Sequence, residues 1–247
     1  MSPAAELSIV VPAYNEAGRL PRTLERIRSY LRERRIAAEV IVVDDGSTDA
    51  TAAVAGNLQA EFPELRLLSN GRNRGKGFSV RHGMLEARGR VVLFTDADLS
   101  APIEEADKLL AALGGYQVAI GSRAMDRSLI EVHQSRLREL AGILFNLVVR
   151  VITGLPFADT QCGFKAFVRE PSQIVFEQQR IERFGFDPEV LFLARRHGLQ
   201  AVEVPVRWAH DPATKVHMVR DSLHMLGELL LVRWNWLAGR YPRRGKA

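Results

Sequence analysis

Two rhythms run along the chain. Short apolar runs, each closed by a proline, an acid or a glycine, alternate with longer stretches in which apolar residues recur every three or four positions. The runs read as buried strands and the stretches as amphipathic helices. Strands are expected at residues 7–11, 39–43, 65–68, 91–95 and 117–120, with helices over 20–35, 50–62, 75–87 and 103–113 between them. Pro21 suits a first helical turn, and Ser47, Thr48 or Asp49 is placed to cap the helix beginning at residue 50. Strands alternating with helices of this length predict an α/β fold: a mainly parallel, Rossmann-like sheet with helices on both faces.

Beyond residue 130 the rhythm changes. Residues 132–153 read as one long helix whose broad apolar face includes Leu140, Ile143, Leu144, Leu147, Val148 and Val151, stopped by Gly154 and Pro156. A polar loop from Asp159 to Lys165 enters a short strand ending at Val168. A helix over 188–197, a strand over 201–206 and an amphipathic helix over 218–240 complete the pattern. No linker or repeat interrupts it, so one domain is expected over 1–217, with a C-terminal amphipathic helix and basic tail over 218–247 packed on or beside it.

Composition narrows the class. The 247 residues are 47% hydrophobic and 26% charged, which is ordinary for a globular chain with a full core. A single cysteine, Cys162, excludes an internal disulfide framework and is expected to be a small buried hydrophobe. The six histidines show no helical i, i+4 pair of the kind that binds metal. Nothing reaches the roughly 18 apolar residues of a spanning helix, and the N-terminal stretch lacks the basic start of a signal peptide, so a cytosolic protein is expected. A net charge of +5 invites a nucleic-acid or anionic-membrane reading. No zinc-finger spacing, aromatic RNA-binding motif or basic heptad accompanies it, and no nucleic-acid partner is expected.

Candidate chemistry gathers where the strands end. The run Val91 to Thr95 leads directly into Asp96-Ala97-Asp98, two carboxylates that can converge on one hard divalent cation shared with phosphates. Alone, this segment is equally a turn whose Asp caps the helix opened by Ser100 and Pro102. Three further strand ends present Pro12-Ala13-Tyr14-Asn15-Glu16, Asp44-Asp45-Gly46-Ser47-Thr48-Asp49 and Gly121-Ser122-Arg123, and a basic glycine-rich loop runs from Arg72 to Gly77. In an open α/β sheet these ends border one crevice. Acids for a metal and for sugar hydroxyls, with cations and the N-terminus of a helix near Gly75 for phosphate oxygens, describe a nucleoside-diphosphate site.

These segments, with Asp159-Thr160-Gln161-Cys162-Gly163-Phe164-Lys165, together resemble the family 2 glycosyltransferases of GT-A fold. The pattern is most similar to the dolichyl- or polyprenyl-phosphate β-glucosyltransferases, with the mannosyltransferases next. The resemblance implies that Pro12, Tyr14, Glu16, Asp44, Asp45 and Gly75 line the nucleotide, with Asp45 near the base. It implies further that Lys76 and Asp96 lie by ribose, diphosphate or sugar, and that Asp98, with Asp96, holds Mg2+ or Mn2+. Ser122 and Arg123 would face the acceptor phosphate. Ser100 stands where the mannosyl enzymes tend to carry Gln, which favours UDP-glucose over GDP-mannose as donor.

The resemblance also implies inversion at the anomeric carbon. A polyprenyl phosphate acceptor, with a second pKa of about 6, is largely dianionic near neutrality and needs cations more than a base. Arg123, Arg127 and Lys215 are the candidates; for the last two a solvated surface charge is the alternative. If a base operates, Asp187 or Asp159 is the place to look, against a helix cap and a structural turn respectively. A lipid acceptor further implies a peripheral membrane surface on the cytosolic side, formed by 132–153 and 218–237, whose structural alternative is packing on the sheet or a dimer seam. A transferase acting on a soluble sugar, and a non-catalytic nucleotide-sugar or nucleic-acid binding module, are the competing functions.

Overall fold

The structure is a computed structural model that describes residues 5–132, 135–210 and 218–242, without the side chains of 136–138 and 218–221. Seven strands form one sheet: β1 (Leu7–Ala13), β2 (Ala38–Asp44), β3 (Leu65–Ser69), β4 (Val91–Thr95), β5 (Val118–Ser122), β7 (Phe164–Val168) and β8 (Ala201–Pro205). Their order is β3-β2-β1-β4-β7-β5-β8. All pairings are parallel except those of β7, which runs antiparallel between β4 and β5. Two short strands, β6 (Ile130–Val132) and β9 (Trp208–Ala209), pair separately.

β1 and β4 are buried along nearly their whole length because helices cover both faces, as an apolar run without alternation requires. On one face α1 (Leu20–Arg34) and α4 (Ala106–Ala112) bury Leu24, Ile27 and Leu109 against Ile9, Val42 and Leu93. On the other, α3 (Lys76–Glu86), α6 (Arg169–Gln178) and α7 (Phe186–Arg196) pack Val80, Phe176 and Phe186 against Val10, Ile41 and Phe94. Each such side chain contributes about 1.5–3 kcal/mol by leaving water. Pro12 lies past the last β1 residue paired with β4, where the strands part and a crevice opens.

α2 (Thr51–Leu58) is shorter than its apolar pattern predicts; its N-cap is Ala50, with no side-chain cap, and of the three candidates Asp49 accepts from the Thr51 amide at 2.9 Å. α5 (Arg136–Thr153) and α8 (Met218–Leu237) pack on each other and on α7. Both leave much of their apolar surface outside: Leu140, Ile143, Leu144, Leu147 and Val151 on α5, and Leu223, Leu230, Trp234 and Leu237 on α8, are more than half exposed. Among the described residues no helix is long and apolar enough to cross a membrane.

Candidate active site

The loops marked for chemistry leave the same edge of the sheet. β1, β2, β4 and β5 end there, and antiparallel β7 begins there with Phe164 opposite Thr95. β2 and β3 follow β1 outward on one side while β4 lies on the other, and a crevice at such a reversal is where open α/β sheets bind ligands.

On the β1–β2 side the loops are stitched together. Asn15, at a positive φ of 54°, accepts from the amides of Thr48 at 2.8 Å and Asp49 at 3.3 Å, and Ser47 Oγ accepts from the Asn15 amide at 2.9 Å. Ser47 and Thr48 therefore serve the neighbouring loop instead of capping α2. Tyr14 is 36% exposed, Pro12 is half-buried, and Glu16 pairs with Arg19 at 2.5 Å. Asp44 is buried and accepts from the Ser47 amide at 3.2 Å. Asp45, also buried, accepts from Asn70 Nδ2 at 2.8 Å and from the amides of Arg74 at 3.0 Å and Gly75 at 2.8 Å. Both its oxygens are engaged, so Asp45 holds the glycine-rich loop in place beside the strand ends. The N-terminus of α3 is less open than expected: the Gly75 amide is spent on Asp45, and the Phe78 amide on the Glu182 carbonyl at 3.0 Å.

Asp96 and Asp98 stand at the centre. The turn is tight: Leu99, buried, takes a φ of 47°, rare for a branched apolar residue and the kind of strain that persists where surrounding structure holds it. Asp98 accepts from the Ser100 amide at 2.9 Å, so it also shapes its own turn. Lys76 Nζ meets Asp96 Oδ1 at 2.6 Å, joining α3 to the turn. Burial would lower the Lys76 ammonium, but Asp96 and Asp187 outweigh it and hold its pKa above the ordinary lysine value. Burial, and then the Asp96 charge, push the Asp98 carboxyl above its usual range. A carboxyl raised by burial and by its neighbour's charge fits a divalent cation, whose charge would relieve it. Among the described residues no cluster of three or more His, Cys, Asp or Glu side chains is placed to hold a metal. The remaining ligands would then be diphosphate oxygens and water, the usual pattern for Mg2+.

The loop before β7 seals this turn from behind. Gly163 lies so close to Asp96 that a Cβ there would fall 2.0 Å from Oδ2. Lys165, fully buried in β7, donates to the Cys162 carbonyl at 2.5 Å and pairs with Asp187 in the first turn of α7. Burial raises Asp187 above the usual carboxylate range, with Lys165 and Lys76 opposing. Asp187 thus lies within reach of the Asp96 and Lys76 charges, as the partner of a buried lysine whose only sequence signal is its place at the end of the Asp159–Lys165 loop. Neighbouring Glu189 points elsewhere, to the amides of Arg180 and Ile181 and to Tyr241. Cys162 is buried, and burial pushes its thiol up to about 12, as suits a packing residue.

Arg123 and Asp159 form the far wall. The guanidinium grips the carboxylate through Nε at 2.6 Å and Nη2 at 2.8 Å, and the Arg123 amide adds a third bond at 3.1 Å. Burial alone would raise Asp159; Arg123 outweighs it and brings the carboxyl down to about 2. A carboxylate so held is a poor proton acceptor, which counts against Asp159 as a base. Arg123 also lies 5.4 Å from the centre of the Trp208 ring. Arg127 pairs with Glu139 of α5 and lines one cavity with Arg123, Gly142, Ile143, Gln161 and Trp208. Ser122 is fully buried, its hydroxyl bonded to the Ala124 amide at 3.4 Å, so it sets the turn and does not face the cavity. Lys215 lies outside the described residues. Trp208 has no sequence signal beyond being aromatic.

The Glycosyl transferase family 2 profile matches residues 8–172. A dolichyl-phosphate β-glucosyltransferase of Drosophila melanogaster is 38% identical over 252 residues, covering 96% of this chain and 77% of the relative. Its human counterpart is 34% identical over 252 residues, 96% of this chain and 78% of the relative. Among solved structures, mannosyl-3-phosphoglycerate synthase from Rubrobacter xylanophilus superposes with a TM-score of 0.65 at 22% identity, covering 98% of this chain and 77% of that one. Glucosyl-3-phosphoglycerate synthase from Mycobacterium tuberculosis, solved with Mn2+, UDP and glucosyl-3-phosphoglycerate, gives 0.62 at 20% identity, covering 98% and 82%. The parallel sheet with its carboxylate turn, the profile and the relatives agree: the protein belongs to glycosyl transferase family 2, with the GT-A fold.

Proposed function

We propose that the protein transfers a hexose, glucose in preference to mannose, from UDP-sugar to a polyprenyl or dolichyl phosphate, with inversion, while seated peripherally on the cytosolic face of a membrane. One observation carries the reading: Asp96, Asp98 and Lys76 share a sheet edge with a cavity that has arginines on one wall and Gly142 and Ile143 of α5 on another. A phosphate on an apolar tail matches both walls. The dolichyl-phosphate β-glucosyltransferases at a third or more identity over nearly the whole chain support the same sugar and acceptor class.

In this mechanism Lys76, fixed by Asp96, puts positive charge beside the diphosphate. Mg2+ or Mn2+ held by Asp98 with Asp96 would supply Lewis-acid neutralisation of the leaving group. Arg123 spends Nε and Nη2 on Asp159 and so is already oriented, leaving Nη1 for an acceptor phosphate oxygen. The phosphate arrives ionised, and its oxygen attacks the anomeric carbon as the diphosphate departs on the other side. No proton has to be removed, in keeping with Asp159 held near 2 and Asp187 bound to Lys165.

The test is transfer of labelled glucose from UDP-glucose to polyprenyl phosphate in detergent with Mn2+, run beside GDP-mannose and beside free sugars as acceptors. Asp98→Ala is expected to lower kcat/KM by at least two orders of magnitude, about 2.7 kcal/mol of transition-state stabilisation. Full activity in that variant removes the metal role, and transfer to free sugars alone removes the lipid acceptor.

A further inference from the structure

Helix α8 divides into an outward apolar side and an inward side carrying Met225, Leu229 and Val232. Among the described side chains of α8, one carboxylate, that of Glu228, reaches the fold. Its Oε2 accepts from the Gly185 amide at 2.8 Å, and a Cβ on Gly185 would lie 2.8 Å from that of Glu228, so the carboxylate rests directly on the glycine. Gly185 is the N-cap of α7 and has no side chain of its own to cap with. Glu228 therefore makes, from another helix, the bond that a capping-box Glu makes within one. Burial raises its pKa above the usual carboxylate range.

The residues on either side of Gly185 are the working part of the site. Asp187 lies two positions further along, bound to Lys165. The segment just before the glycine is the wall against which α3 starts. A Cβ on Gly75 would fall 2.5 Å from the Glu182 carbonyl, and one on Gly77 would fall 2.6 Å from both the Ile181 carbonyl and Phe186 Cβ. Between those two glycines is Lys76, paired with Asp96. The other end of the segment is tied to the C-terminal end as well: Tyr241 donates to Glu189 at 2.5 Å, and Glu189 accepts from the Arg180 and Ile181 amides at 3.0 and 2.8 Å. Residues 180–187 are thus fastened at both ends by side chains from α8 and the turn after it.

We infer that Glu228 is a positioning residue for the transfer reaction, setting through the Gly185 amide the placement of Asp187 and of Lys76. Only the identity of the acceptor in its assay rests on the proposed function. In Glu228→Ala the amide loses its partner; in Glu228→Gln the side-chain oxygen can still accept from it. At saturating donor and acceptor, well below the melting temperature of each variant, kcat is expected to fall at least tenfold in Glu228→Ala and to return to within about threefold of wild type in Glu228→Gln. A packing role alone would lower the melting temperature and leave turnover of the folded enzyme unchanged. Turnover of Glu228→Ala within twofold of wild type, or no recovery in Glu228→Gln, overturns the inference. If wild type transfers nothing to a lipid phosphate, the acceptor reading fails and amide hydrogen exchange without ligand decides: in Glu228→Ala exchange must quicken at Lys76–Phe78 as well as at Gly185, and quickening confined to Gly185 overturns the inference.

Discussion

Asp159 separates being acidic from being a base. Its carboxyl is held at about 2 against an ordinary 3.8 because Arg123 binds the charged form, and that preference is also a stability contribution. The folded value lies below the unfolded one, so the contribution is complete above pH 4 and is lost as pH falls through 2. Its size is about 2 kcal/mol. In Asp159→Asn the unfolding free energy at pH 7 should drop by at least that much, since Arg123 is left partly buried without its partner. The variant's acid limb between pH 5 and 2 should be flatter than that of wild type by about 2 kcal/mol. Chemical denaturation across that range measures both, and parallel acid limbs would show that the pair is not what depresses the carboxyl.

At the level of elements the informative one is β7. The alternation of strands and helices made the parallel half of the sheet legible, since apolar runs and capping signals are local. The carboxylates at the end of β4 and the basic loop before α3 were legible for the same reason. That β7 enters the sheet backwards between β4 and β5 was not, because pairing direction is decided by partners more than forty residues away. α6 begins directly after a strand and has no side-chain cap, so its one local start signal, Pro171 in the first turn, did not announce it. The same blindness hid Lys165 with Asp187 and Arg123 with Asp159, whose members are each unremarkable until the fold brings them together. The reversed strand has a testable use. It delivers Gly163 to the back of Asp96, and a methyl group there needs space that the carboxylate occupies. Gly163→Ala should therefore stay folded, with a melting shift of a few degrees, yet lose at least a hundredfold in kcat/KM as the carboxylate is displaced, about 2.7 kcal/mol. Activity near wild type would show that the loop yields and that its closeness to Asp96 has no catalytic consequence.

Across the whole molecule, one flank departs from what a lone soluble domain needs. α5 and α8 lie against each other, and their outward residues form a broad apolar surface beside the arginine-lined cavity. Extended exposed patches of this kind mark a surface built to meet something apolar. The lipid acceptor of the proposed function makes a bilayer the expected partner. Trp234, 58% exposed, suits the headgroup level, and Arg233 and Arg240 stand near it in sequence. Each basic residue close to an anionic surface adds about 1 kcal/mol. Burying half of each exposed Leu, Ile or Trp adds about 1 kcal/mol apiece. Flotation should accordingly show binding to phosphatidylcholine vesicles that strengthens at least tenfold when phosphatidylserine is included and weakens with salt. Replacing Leu144 and Leu147 by Glu should lower vesicle affinity at least tenfold while leaving the melting temperature and nucleotide affinity unchanged, because neither side chain enters the core. If the double variant binds vesicles as wild type does, or if wild type instead forms a dimer that these substitutions dissolve, this flank meets a second protein copy and not the membrane.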